Sequence, residues 1–414
     1  MQFGIFDDYH ISNFFPLTYS RAFFHIRTGF YTQIQFLESV LGQSLTFHKT
    51  LPHLSDYYSA KTPDFNSLSI QSDCVFINSR IRNFTEIMPD LNNLKASGDS
   101  LINGNEVIAI KINQSEISGF IGSSEIESFV KNRIPVDHKT FQHTWEIILS
   151  NNESMSFQKT NFLGSKSFSD TSTSYQSQIM GEGKVFVGKN VTIHPLVSFD
   201  CRGGDIVIDD GAEIMSHSAL VAPCYVGEKT KIKIGAKIYQ NCVIGPVCKI
   251  GGELEDVVIQ GHSNKQHDGF LGHAFLGEWC NLGADTNNSD LKNTYASVDL
   301  WENGKMTDTG SQFMGSVFGD HSKTGINTQL NTGTVVGFSC NVYGAGFPER
   351  FIPTYHWSAD GRLVEYRLSK AKETAKIVMS RRNIEFTEAD SKLFDDIKAL
   401  SAFELQSIKK KNIQ

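Results

Sequence analysis

Between residues 252 and 286 the sequence gathers side chains able to do acid–base and ligand-binding work: Glu253, Glu255 and Asp256, then His262, Lys265, His267 and Asp268, then Asn281. Imidazole is the group of first interest. Its pKa lies near neutrality, so it can take a proton from a nucleophile and return it to a leaving group. A polar stretch of this kind is also what an ordinary solvated loop contains. At the N-terminus, Asp7-Asp8 follows an apolar run and would hold Mg²⁺ at a strand end or cap a turn. Arg21 and Arg27 are candidates for phosphate contacts or for ion pairs. Asn78-Ser79-Arg80 closes another apolar run, the position at which an open α/β sheet binds ligands. Seven cysteines without a CxxC pair indicate neither a disulfide framework nor a zinc knuckle.

The elements that position these groups are legible as a period. Ile208, Ile214, Leu220, Val226, Ile232, Ile238, Ile244 and Ile250 follow one another at a spacing of six, and four residues beyond each stands a mostly small residue: Ala212, Ser218, Cys224, Thr230, Ala236, Cys242, Cys248, Leu254. Six fits neither a helix nor a flat sheet. It fits a coil of three short faces, in which each aliphatic points inward and stacks on its equivalent in the next coil. Cys224, Cys242, Cys248, Cys280 and Cys340 fall on the small inward position, where a free thiol behaves as a small hydrophobe. The pattern begins near Val187 and resumes at Phe270, Leu276 and Leu282, then from Phe318 to Val342. Residues 252–269 and 287–317 interrupt it and are expected to be loops thrown out on one face.

On these residues the chain resembles a known family. Glu253, Lys265-Gln-His267-x-x-Phe-Leu-Gly and Asn281-Leu-Gly-Ala-x-Thr are similar to the acetyltransferase half of the bifunctional enzymes that make UDP-N-acetylglucosamine from glucosamine 1-phosphate. The runs GFLGHAFLGEWCNLGADTNNSDLKN and HSKTGINTQLNTGTVVG look like an alternative bacterial branch of that family. The resemblance implies His267 as the base that deprotonates the attacking amine, with Glu253 orienting it. It implies Lys233, Lys265 and Asn281 as substrate-binding residues, acetyl-CoA as acyl donor, and a homotrimer with the acyl-CoA between subunits. Two positions depart from the family: Phe270 stands for a tyrosine and Glu255 for a lysine, which leaves the sugar open. His262-x-x-x-x-His267 on such a solenoid also resembles the zinc-binding γ-class carbonic anhydrases, a second reading.

Phe15-Pro-Leu-Thr-Tyr-Ser-Arg21 and His25-Ile-Arg27-Thr-Gly are similar to sugar nucleotidyltransferase stretches, which extends the resemblance to nucleotidyl transfer from a nucleoside triphosphate, with Mg²⁺ at Asp7 and Asp8. The Gly-rich phosphate loop of that family is missing, because Asp7 to Asn13 contains no glycine. A regulatory or scaffolding protein that catalyses neither step is therefore a third reading. The expected architecture is an α/β nucleotidyltransferase-like domain over 1–149, with Phe3 to Phe6, Cys74 to Ile77 and Val107 to Ile110 as parallel strands. A Ser/Asn-rich linker over 150–180 follows, then a left-handed parallel β-helix over 181–350 and C-terminal helices over 362–411, one opening at Thr387-x-x-Asp390.

Composition closes off other classes. With 38 basic and 45 acidic side chains in 414 residues, the formal charge of −7 gives no reason to expect a nucleic-acid partner. No run of 18 apolar residues exists and the N-terminus carries no signal-peptide pattern, so no membrane span and a cytoplasmic location are expected.

Overall fold

The structure, a computed structural model, describes residues 1–62, 65–66, 70–170 and 178–411. The N-terminal sheet has six strands: β1 (Gln2–Phe6), β2 (Phe47–Lys49), β3 (Cys74–Asn78), β4 (Asp99–Asn103), β5 (Glu106–Ile112) and β6 (Asn132–Pro135), in the order β2-β1-β3-β5-β4-β6. β1 runs parallel to β2 and β3, as a βαβ pattern with a crossover helix at Gln33–Leu41 requires. β5 is antiparallel to both β3 and β4, contrary to the parallel expectation. Only two residues join β4 to β5, too few for a parallel crossover, so Val107 to Ile110 returns as a hairpin strand.

The solenoid forms as its period predicts. One face stacks Cys224, Cys242 and Val226, Ile244 in register, and all seven cysteines are buried and free. Burial pushes the inward thiols of Cys224, Cys248, Cys280 and Cys340 up to about 12, which leaves them inert as nucleophiles. The coils start at Gln178–Met180 and continue past 350, through Phe351–Ile352 and His356–Ala359, with Arg362–Glu365 an antiparallel strand rather than helix. Three helices follow, at Leu368–Ser380, Glu388–Leu400 and Ala402–Lys411, and Thr387 with Asp390 forms the capping box.

One face of the solenoid is apolar on its outside as well. Val207, Tyr225, Val243, Val258, Phe275, Val317, Val335 and Phe351 point outward, yet are buried in the same cluster as the N-terminal core. That face docks the N-terminal domain. The stretch expected to be a linker does part of the docking: Asn151–Ser165 is a helix, with Phe162 against Phe30 and Tyr225. Its buried Gln158 is hydrogen-bonded rather than solvated, accepting from the Tyr31 N–H and donating to the Thr28 carbonyl. Residues 171–177 of the expected linker lie outside the described residues.

The two interruptions resolve differently. Residues 252–269 stay in the solenoid as short strands, so no loop is thrown out there. The second does leave the coil, and its hairpin (Asp299–Glu302 with Lys305–Asp308) lies against the N-terminal domain, Trp301 in that core and Glu302 2.7 Å from His143. It fastens the two halves together.

The C-terminal helices tie in through Glu404, whose buried carboxyl accepts from the Tyr19 hydroxyl and the Thr354 N–H. Burial raises it from 4.5 to about 7 against those hydrogen bonds. Between these values the folded chain holds a proton that the unfolded chain has released, so this group makes stability fall as pH rises. Glu404→Gln should remove that slope. In urea melts, its stability relative to the parent chain is expected to rise from pH 4.5 to 8.

Candidate active site

The candidate residues of the solenoid sit on one of its edges. Four residues (233–236) link Ile232 to the strand beginning at Lys237, and four (266–269) link Lys265 to Phe270, but only Gly251-Gly252 links Ile250 to Glu253. This shortened corner is what broke the period of six. Both glycines are required there. A Cβ on Gly252, which has φ +77°, would lie 2.7 Å from the His267 carbonyl oxygen, and one on Gly251 would lie 2.6 Å from that of Gln266.

Around this corner the expected residues take different roles. His267 is exposed, and its ring makes no hydrogen bond or ion pair among the described residues. Lys233 is in the coil before, its Cβ 3.2 Å from where a Cβ on Gly251 would be. Glu253 is one strand from His267, but its carboxylate faces Lys237 at 3.6 Å rather than the imidazole. Asn281 is exposed and in register with Asn264 one coil earlier. Lys265 does not serve as expected. It is fully buried, and its ammonium donates to the His267 and Asp268 carbonyls, fixing the corner that carries His267. Burial lowers it to about 8.

Sequence reasoning missed a cationic cluster beside this edge. Lys231 and Lys249 are adjacent in register, and Arg382, from the turn after the helix Leu368–Ser380, donates to the Asn264 side-chain oxygen at 3.1 Å. Partial burial, then Arg382, Lys233, Arg381 and Lys231, hold the Lys249 ammonium below its usual range. The arginine doublet at the end of that helix was the available signal. Such a cluster suits a phosphorylated ligand.

The two histidines of the zinc reading stand at opposite ends of the short strand Asn264–Lys265, on different corners. His262 stacks on Trp279, with ring centroids 4.6 Å apart. Among the described residues no group of three or more His, Cys, Asp or Glu could hold a metal ion.

In the N-terminal domain the polar residues close on one another. Arg80, fully buried, pairs with both Asp8 oxygens and with Glu106, and donates to the Phe141 carbonyl. Asp7 accepts from the Ser79 and Thr50 hydroxyls and the Phe23 N–H, and burial raises it to about 6. Neither aspartate fits the expected Mg²⁺ site, because the oxygens that would face a cation are taken. Arg21 and Arg27 are not open phosphate ligands either. Arg21 is buried between Asp320 and Glu278, and Arg27 donates to the Phe30 and Gln260 carbonyls.

Residues 4–162 match the family model of sugar nucleotidyl transferases. The end of that match falls inside the docking helix, so the nucleotidyl transferase-like domain includes most of the expected linker's helical part. Among curated proteins, the chain is 28% identical over 142 residues to a bifunctional sugar-1-phosphate nucleotidylyltransferase/acetyltransferase of Sulfurisphaera tokodaii, covering 34% of this chain and 35% of that one. It is 25% identical over 172 residues to the bifunctional protein GlmU of Methanococcus aeolicus, covering 41% and 39%. The matched stretches thus span well under half of these relatives' lengths. Among solved structures, AntD, an N-acyltransferase from Bacillus cereus, aligns at 13% identity over 52% of this chain and 98% of that chain, with a TM-score of 0.23.

Proposed function

We propose that the chain works in sugar-nucleotide synthesis. Its solenoid transfers an acetyl group from acetyl-CoA to the amine of an amino-sugar 1-phosphate, glucosamine 1-phosphate first among them. Its nucleotidyl transferase-like domain couples this to nucleotidyl transfer, giving UDP-N-acetylglucosamine or a related nucleotide sugar in the cytoplasm. The observation that carries the reading is an exposed, uncommitted imidazole, His267, on the edge beside the cluster of Lys233, Lys249, Arg381 and Arg382. The cations suit the sugar phosphate. The amine nitrogen attacks the thioester carbonyl, the C–N bond forms as the C–S bond breaks, and the proton lost by nitrogen passes to His267 and on to the departing thiolate.

At the same corner of their coils, Leu196, Ile234 and Ile326 are 64%, 70% and 72% exposed. Apolar side chains left in water along an edge support its being covered by another copy, as in a homotrimer. Consumption of acetyl-CoA with a panel of amino-sugar phosphates tests the acyl transfer. No turnover with any of them would refute it. Lys233→Met is expected to raise KM for the sugar phosphate about tenfold or more with little change in kcat, as loss of a charged phosphate contact should.

A second reading of the N-terminal domain is favoured by the Asp8–Arg80 pairing and the missing glycine loop: the fold is kept and the catalysis lost. Pyrophosphate release from UTP and N-acetylglucosamine 1-phosphate separates the two. Release supports nucleotidyl transfer, and its absence in a chain that acetylates supports the non-catalytic domain.

A further inference from the structure

Ile214, Ile232 and Ile250 stack in register along one inward row of the solenoid, all inaccessible to water, and the residue that takes the next place in that row is Lys265. A lysine is almost never fully buried without a charged partner. Here no carboxylate pairs with it among the described residues. Asp268 and Asp285 attract its ammonium only from a distance, and Lys237 opposes them. An isoleucine would fill the position without desolvating a charge, so the ammonium is carried into the core for a use other than stability.

That use is visible at the corner. Among the described residues, the carbonyl oxygen is the only polar atom of His267 that makes a hydrogen bond, and its donor is the Lys265 ammonium. The same ammonium donates to the Asp268 carbonyl at 3.0 Å. It has room there because residue 252 is glycine: a Cβ on Gly252 would lie 2.8 Å from the Lys265 Nζ. One buried charge therefore sets two successive peptide planes, and the Cα that carries the His267 imidazole belongs to the first of them.

We infer that Lys265 is a positioning residue, whose charge rather than bulk holds the backbone from which the His267 ring reaches the reacting amine. This role rests on the acyl-transfer reading above. It also sets an alkaline limit on the reaction. Burial lowers the ammonium to about 8, and the neutral amine left above that pH is a weaker donor to both carbonyls. Activity then falls as pH rises through a group that never touches the substrate.

Lys265→Met keeps an apolar side chain of similar length in the row and removes the charge. It is expected to lower kcat for acetyl transfer about tenfold or more, with KM for acetyl-CoA and the sugar phosphate within about twofold. The alkaline limb near pH 8 should be absent from the variant. A second readout needs no turnover. His267-Asp268 is the one His-Asp step in the sequence, so ¹³C in the histidine carbonyls and ¹⁵N in the aspartates isolate the resonance of that peptide bond. In the parent chain this carbonyl should titrate with a midpoint near 8, and in the variant that step should vanish. If the parent acetylates nothing, the acyltransferase reading fails, while the titration still decides whether the ammonium holds the corner. A carbonyl resonance that stays fixed from pH 7 to 9.5 overturns the inference, and the parent alone shows this should the variant not fold. A folded variant that keeps the kcat and the pH limb of the parent overturns it as well, because the lysine would then serve only the fold.

Discussion

Replacing His267 with alanine is expected to lower acetyl transfer to an amino-sugar phosphate at least ~10²-fold, the usual contribution of a positioned general base. Stability should change by no more than about 0.5 kcal/mol, because the ring is exposed and bonded to nothing among the described residues. The pairing of these two results is what makes the measurement decisive. A chain that never acetylates has no activity to lose, and a histidine that holds the fold could not be removed without a shift in the urea midpoint. The same geometry sets a smaller expectation for Glu253→Gln. Its carboxylate faces Lys237, not the imidazole, so its loss should cost far less than that of His267. An equal loss would mean that the carboxylate swings to the ring when substrate arrives. Steady-state rates with acetyl-CoA varied at saturating acceptor would distinguish the two.

Why the solenoid could be read and the docking could not follows from the range of the interactions. Its core repeats every six residues, so each inward aliphatic is announced by its neighbours. The outward row was equally periodic. Val207, Tyr225, Val243 and Val258 each stand between two inward residues, giving three apolar positions in succession on one face only. A face apolar on both sides has to be covered, and that signal points to the docked domain. The helix Asn151–Ser165 was masked by its polarity. Asn151 donates to the Asn241 carbonyl and Gln158 bridges Thr28 to Tyr31, partners that exist only after docking. The Gly251-Gly252 corner was legible as a break in period, though not as a shortening. A missing pair of residues and an inserted loop both end a count of six.

The second large effect concerns a contact with no local trace, since Arg21 and Asp320 are 299 residues apart. Both side chains are buried, and the Ser20 hydroxyl and the Glu278 N–H also donate to Asp320. Burial alone would lower the Arg21 guanidinium, but Asp320 and Glu278 more than reverse this and keep it charged. Arg21→Met is therefore expected to destabilise the chain by about 3–5 kcal/mol, because two carboxylates are left without their cation. The direction with pH distinguishes this from simple loss of packing. In the variant, an unpaired buried carboxyl has its pKa raised above the unfolded value, so its cost is small where it can stay protonated and grows as pH rises. Urea melts should show a larger loss at pH 8 than at pH 5, and Asp320→Asn added to Arg21→Met should recover part of it. A loss that is the same at both pH values, with no recovery in the double variant, would mean that the arginine stabilises the interface by filling space rather than by charge.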